Sequence, residues 1–559
     1  MKTEVVIILK KALDELNVEI KEEEISKFLE IPPTSDMGDY AFPCFFLSSR
    51  IKKNPHEIAV EIREKLGNFS TELFEDIQTS GPYINFFINR KELAKNVVNQ
   101  ILTSKDKFGK TDIGKRKKAL IEHTSINPNA SPHVGRTRNA IIADSIVRIM
   151  TFLNFKPEVH YYVNDVSKQI AMLVLAKAEN LKFESMLKKY IAISTKVKNS
   201  KKAEKQVFDL LYEFENGNKK VSGKFKKITK TCVNGQKKIL AELGIHYDFF
   251  DYESKYLRNY KGILSKLEAT KKLFKDKDKR IIFNLKGTPI ENQMKSPVIV
   301  LTRSDGTGLY PLRDLLYTID KMKIAEKNLI VLGEDQKLYF QQIKQILNSI
   351  NITSPEVVHY SFVLIQKKGK SKKMSTRKGD IVLLKDFLDE VIKKAQKELD
   401  KRKTKADAKK IGVGAVKYAI LKNNNNKIIN FDLEKALNFE GDTGPYILYS
   451  YARANSILKK IKNPKNKKIE MLSLEKPEID LVKKLSIFPD IVLNSYKNLN
   501  PSLIANYSYQ LSKLFNEFYH ACPVIKSEQK SFRIALVQAF KHVLGNSLNL
   551  LGIDKIDRM

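Results

Sequence analysis

Residues 119–153 read ALIEHTSINPNASPHVGRTRNAIIADSIVRIMTFL. The apolar run 119–121 predicts a short strand, the Asn-, Ser- and Pro-rich stretch after it a loop, and the apolar periodicity from about Val134 a helix. In a strand–loop–helix unit the helix N-terminus presents unpaired N–H groups and the positive end of a dipole, so it attracts a phosphate or a carboxylate. Gly135, without a Cβ, lets a ligand approach the backbone, and His133 and Arg136 beside it supply donors. Together these groups suit an anion. Taken alone, Pro132-His133 reads equally well as a plain helix cap.

Working outward, EVHYYVNDVSKQIAML (158–173) predicts a strand ending near Asn164-Asp165 and then a helix, a second βα unit. The run KNLIVLGEDQKLYFQQIKQIL (327–347) predicts a buried strand, a turn at Gly333 and another helix. The pattern implies a doubly wound parallel sheet, whose ligands sit at the C-terminal strand ends beside a switch point. Glu334 and Asp335 are as well explained as acids at a helix start.

The 559 residues imply roughly three or four domains. A formal charge of +36 exceeds what solubility needs and implies a polyanionic partner such as nucleic acid, though Lys-, Asn- and Ile-rich usage can also reflect genome composition. Cys44, Cys232 and Cys522 are far apart, with no C-x-x-C or Cys/His cluster, so neither zinc nor a disulfide framework is expected and a reducing cytoplasm is. No run of about 18 apolar residues occurs, and MKTEVVIILKK is too short and too soon acidic for a signal peptide, so no membrane is expected.

Taken whole, 119–153 resembles the first signature of the class I aminoacyl-tRNA synthetases, His-x-Gly-His. Its surroundings resemble the arginyl-tRNA synthetases, in which an E-x-x-S-x-N run precedes the signature as Glu122, Ser125 and Asn127 do here. Arg136 stands where the second signature His is expected, keeping a donor but not a titrating one. The stretch SKKMSTRKGDIVLL (371–384) resembles, at Lys373-Met374-Ser375, the start of the Lys-Met-Ser-Lys-Ser loop, with Thr376 in place of its second lysine.

The resemblance implies ATP, brought with Mg²⁺, as a substrate. It implies His133, Arg136 and Lys373 as catalytic groups, and His133, Gly135, Arg136, Lys373, Met374 and Ser375 as the ATP site; no protein-held metal is expected. It places arginine on Glu122, Ser125, Asn127, Glu253, Tyr310, Asp314 and Gln336. Tyr310 and Asp314, four apart, share one face of a helix predicted to begin near Pro311; a phenol and a carboxylate suit a guanidinium. Judged alone, Asp314 beside Arg313 reads as a surface pair.

Residues 1–108 resemble the N-terminal appended domain of that family. There Tyr83 and Asn85, after the turn Ser80-Gly81-Pro82, would touch tRNA, although a strand tyrosine is also ordinary core. Residues 109–385 form the expected Rossmann-like catalytic domain, with a Lys-rich helical insertion at about 177–245. Residues 386–559, almost all helical, resemble the anticodon-binding domain, with Tyr446, Tyr449 and Arg453 as its candidate RNA contacts. The implied activity is ATP-dependent ligation of L-arginine to tRNA(Arg) through an arginyl-adenylate, with transfer to the terminal 2′-hydroxyl by a cytoplasmic monomer. The alternative is a non-catalytic tRNA-binding paralogue.

Overall fold

The computed structural model describes residues 2–34, 37–67, 72–129, 131–258, 260–367, 370–372, 382–461 and 473–559. The chain divides into two compact units, one of 1–105, 460–486 and 514–542, the other of 106–459, 487–513 and 543–559.

In the first unit β1 (Tyr40–Pro43), β2 (Phe74–Ser80) and β3 (Tyr83–Ile88) form an antiparallel sheet in the order β1-β3-β2. Ser80 pairs with Tyr83. Gly81, at φ +56°, takes the first position of that two-residue loop, which primed turns give to glycine. Alternation along β3 sends Ile84 and Phe86 into a core with Phe42, and with Val5, Leu9, Ile58 and Ile62 from the helices Lys2–Glu15 and Pro55–Gly67. Tyr83 and Asn85 therefore take the opposite face. Phe515 stacks on Phe540 at 3.7 Å, and Arg533 donates to Glu478 (2.7 Å) and Glu475 (2.5 Å).

The second unit contains β4 (Lys118–Glu122), β5 (Lys156–Val163) and β6 (Phe249–Tyr252), then a small antiparallel sheet of β7 (Leu273–Lys275), β8 (Ile281–Asn284) and β9 (Val298–Val300), then β10 (Lys327–Gly333) and β11 (Glu356–Tyr360). Five of them make one parallel sheet in the order β11-β10-β4-β5-β6, with Ile121 opposite both Val159 and Leu329. Both faces of its central strands are covered, which is why β4 and β10 read as continuous apolar runs. Strand order reverses between β4 and β10, so a crevice opens there at the C-terminal strand ends. The helix Val134–Phe152 links β4 to β5.

Between β5 and β6 lie the helices Lys168–Leu175, Phe183–Lys198, Lys201–Glu215 and Lys219–Ala241. They share a core that includes Ile170, Met186, Val207, Leu211 and Phe225, so the Lys-rich stretch is a packed helical insertion. The sheet β7-β8-β9 carried no reading in the sequence, its strands being three or four residues long. Its Phe283 and Ile299 pack with Leu312 and Ile343 from the helices Tyr310–Ile324 and Lys337–Ser349. After β12 (Val363–Lys367) and β13 (Lys370–Lys372), the elements among the described residues are helices except for β14 (Ile429–Phe431), which pairs in parallel with β12.

Candidate active site

Glu122 ends β4 at the switch point, and hydrogen bonds hold the loop after it. Thr124 N donates to Asn139 Oδ1 at 2.7 Å, and Asn139 Nδ2 donates to Val331 O of β10 at 2.7 Å. One helix amide thus joins the two strands across the crevice. The Tyr161 hydroxyl receives Ile126 N at 3.1 Å, and Gln236 Nε2 donates to Asn127 O at 3.0 Å. Thr124 and Ser125 lie at φ +74° and +43°, a left-handed conformation that costs side-chain-bearing residues energy and is kept here by those bonds. The side chains of Ser125 and Asn127 are left exposed.

His133 is the N-cap residue of the signature helix, in extended backbone with no side-chain cap. Its Nδ1 is buried without a partner among the described residues. Burial, reinforced by the Arg136 cation, lowers its pKa to about 4, so the imidazole is neutral at pH 7. Arg136 is exposed and Gly135 half-buried in the first turn. Val134 N donates to Val382 O at 3.2 Å and Leu384 N to Pro132 O at 2.8 Å, which binds the first signature to the chain following the second. Lys373, Met374 and Ser375 lie outside the described residues.

The three acids singled out in the sequence converge, but two already hold cations of the chain. Glu122, 4 % exposed, hydrogen-bonds the ammonium of Lys321, 2 % exposed. Glu253 opens a single 3-10 turn after β6 and accepts Arg313 Nε at 2.5 Å, while its Oε2 is buried and unpartnered among the described residues. Arg313 also donates to Gly308 O at 2.7 Å and lies 3.9 Å from Glu215, which the insertion contributes and which Arg303 pairs as well. Burial pushes the Glu253 carboxyl up to about 8, Arg313 opposing and Asp314 adding to the rise. Asp314 accepts the Tyr339 hydroxyl at 2.5 Å and has no ion-pair partner among the described residues; burial raises its pKa.

Tyr310, 54 % exposed, stands 5.3 Å from the ring of Tyr339. Gln336 is exposed in the short turn between β10 and the helix that carries Tyr339. Glu122 and Gln336 thus lie at the C-terminal ends of β4 and β10, Glu253 just after β6, and Tyr310 and Asp314 on the first turns of the helix Tyr310–Ile324. Lys321, Arg313 and Tyr339 were not foreseen as parts of this site. One signal was available: Tyr310, Asp314, Tyr317 and Lys321 follow helical spacing along one face.

Elsewhere, Tyr83 is half-buried, edge-on to the exposed Phe45 at 5.5 Å, and Asn85 is 7 % exposed. Tyr446 and Tyr449 are half-buried on the helix Gly444–Lys460; Tyr446 packs 5.7 Å from Tyr509, and Arg453 donates to Tyr449 at 3.2 Å, one turn away. These residues belong to other elements than the acid cluster.

A parallel sheet with a four-helix insertion between β5 and β6, and a helix N-terminus at its switch point, is the architecture of a class I aminoacyl-tRNA synthetase. Accordingly, residues 97–433 match the family described as class I (R) tRNA synthetases, catalytic domain. Residues 3–88 match the arginyl tRNA synthetase N terminal domain, and 447–559 the DALR anticodon binding domain. The arginine–tRNA ligase of Methanocaldococcus jannaschii is 34% identical over 97% of this chain and 98% of its own. That of Methanocella arvoryzae is 36% identical over 92% of each chain. The chain therefore belongs to the arginyl-tRNA synthetase family. Its fold is shared with the Thermus thermophilus arginyl-tRNA synthetase, at a TM-score of 0.82, 23% identity and full coverage of both chains.

Proposed function

We propose that the chain activates L-arginine with ATP and transfers it to tRNA(Arg). The arginine carboxylate attacks the α-phosphate, forming a carboxylate–phosphorus bond as the bond to pyrophosphate breaks. The terminal 2′-hydroxyl of the tRNA then attacks the arginyl carbonyl, releasing AMP and a proton. No covalent enzyme intermediate is needed, so the protein contributes positioning and charge. The observation that carries this reading is the cluster of Glu122, Glu253 and Asp314, in which Asp314 lacks a cation among the described residues and Glu253 keeps an unpartnered oxygen.

In this reading the guanidinium meets Asp314 and Glu253 beside Tyr310. Glu122, through its pair with Lys321, with Ser125, Asn127 and Gln336, surrounds the rest of the amino acid. Neutral His133 and the cation of Arg136, with Gly135 between them, hold the triphosphate, joined by Lys373, Met374 and Ser375; Mg²⁺ arrives with the ATP. Tyr83 and Asn85 in the stretch 1–108, and Tyr446, Tyr449 and Arg453 in 386–559, contact tRNA, while 109–385 carries the chemistry. Three free, buried cysteines suit a reducing cytoplasm, where the protein acts as a monomer.

The test is ATP–pyrophosphate exchange with arginine, with and without tRNA(Arg), and with lysine as control. Exchange with arginine alone among the two is expected. Its absence under every condition, in protein that still binds tRNA, would favour the non-catalytic paralogue, which the replacement of a signature His by Arg136 makes a specific rival.

A further inference from the structure

We propose that Tyr339 is a positioning residue of the amino-acid pocket, its hydroxyl holding Asp314 for the cationic head of the substrate and its ring backing Tyr310. The inference rests on the arginine-binding reading above.

The three acids have unequal partners. Glu122 and Glu253 each hold a cation of the chain, Lys321 and Arg313. Among the described residues Asp314 hydrogen-bonds the Tyr339 phenol alone, at 2.5 Å, and a hydrogen bond to an ionised acceptor is about twice as strong as a neutral one. That bond occupies Oδ2 and leaves Oδ1 for a ligand. Tyr339 is itself anchored, because it packs on the apolar cluster that includes Ile343 and Leu347 of its own helix. Its ring also lies 5.3 Å from that of Tyr310, which is exposed. Tyr339 follows Gln336 by three residues, so a single segment joins the side-chain end of the pocket to its polar end.

The groups facing Asp314 are Tyr339, Glu122, Arg313, Lys321, Glu253 and Tyr162. Burial favours the protonated carboxyl, and the Tyr339 hydrogen bond opposes it. Without the phenol the carboxyl holds its proton to higher pH.

The experiment is Tyr339→Phe in the full chain, read by steady-state kinetics with arginine and ATP varied separately. A rise of roughly ten- to a hundredfold in the arginine KM, larger at pH 6 than at pH 8, with the ATP KM within about twofold, is expected from loss of one charge-assisted bond. The decisive comparison is the cycle with Asp314→Asn. If Tyr339 acts through Asp314, adding Tyr339→Phe to Asp314→Asn changes the arginine KM little further. Additive effects, or an unchanged KM in an active single variant, overturn the positioning role and leave the arginine reading intact. A parent protein without arginine-dependent exchange overturns that reading instead.

Discussion

Glu122, the last residue of β4, and Lys321, on the helix Tyr310–Ile324, form an ion pair from which water is excluded. Desolvating two charges costs as much as their attraction returns, but stranding one is expensive. Lys321→Met or Glu122→Gln alone is expected to destabilise the protein by about 3 to 5 kcal/mol, and the double variant by clearly less than the sum. Thermal unfolding of the three variants checks this; additive losses would show that the two charges do not depend on each other.

Asp314 and Glu253 should behave differently from Glu122, because among the described residues Asp314 pairs no cation and Glu253 keeps a buried oxygen without a partner. Asp314→Asn and Glu253→Gln are expected to raise the arginine KM by about tenfold or more, with tRNA affinity unchanged. Unchanged arginine kinetics in both variants would remove them from the pocket.

The raised carboxyl of Glu253 gives a pH signature. It holds its proton up to about 8, against an ordinary 4.5, with Arg313, Asp314 and Asp165 as the charges around it. In the unliganded protein, the stability associated with this shift is present below 4.5 and is lost as pH rises through about 8. A guanidinium favours the ionised form, so binding expels the proton. Arginine affinity should therefore rise from pH 6 to 8 and level off above, with proton release visible by calorimetry in two buffers. A flat profile would count against Glu253 as a guanidinium contact.

Arg138 is fully buried on the signature helix and donates to Ser361 O (2.7 Å), Lys427 O (2.7 Å) and Asn424 O (2.9 Å). Burial lowers its pKa to about 10, still cationic at pH 7. Arg138→Leu strands these carbonyls and should cost about 3 kcal/mol or more. A loss below about 1 kcal/mol, read from the unfolding midpoint, would mean that water replaces the guanidinium.

The sequence by itself pointed to the βα units at 119–153, 158–173 and 327–347 and to their order. Apolar runs at 119–121 and 329–332 read as buried strands, as they are in the structure, and spacing alone put Tyr310 and Asp314 on one helix face. It also pointed to Glu122, Glu253 and Asp314 as acids of one site, through the resemblance of their surroundings. It could not show what each acid holds. Lys321 is 199 residues from Glu122, and Arg313 is 60 from Glu253. Side-chain periodicity reports which face a residue takes, not which distant side chain meets it there. The same holds for Val134 against Val382, and for the short strands β7–β9, whose pairing rests on contacts made only once the chain has folded. Tertiary structure alone decided that two of the three acids are already paired within the chain and that the third rests on a phenol, because burial and non-local counterions set the charge of a pocket.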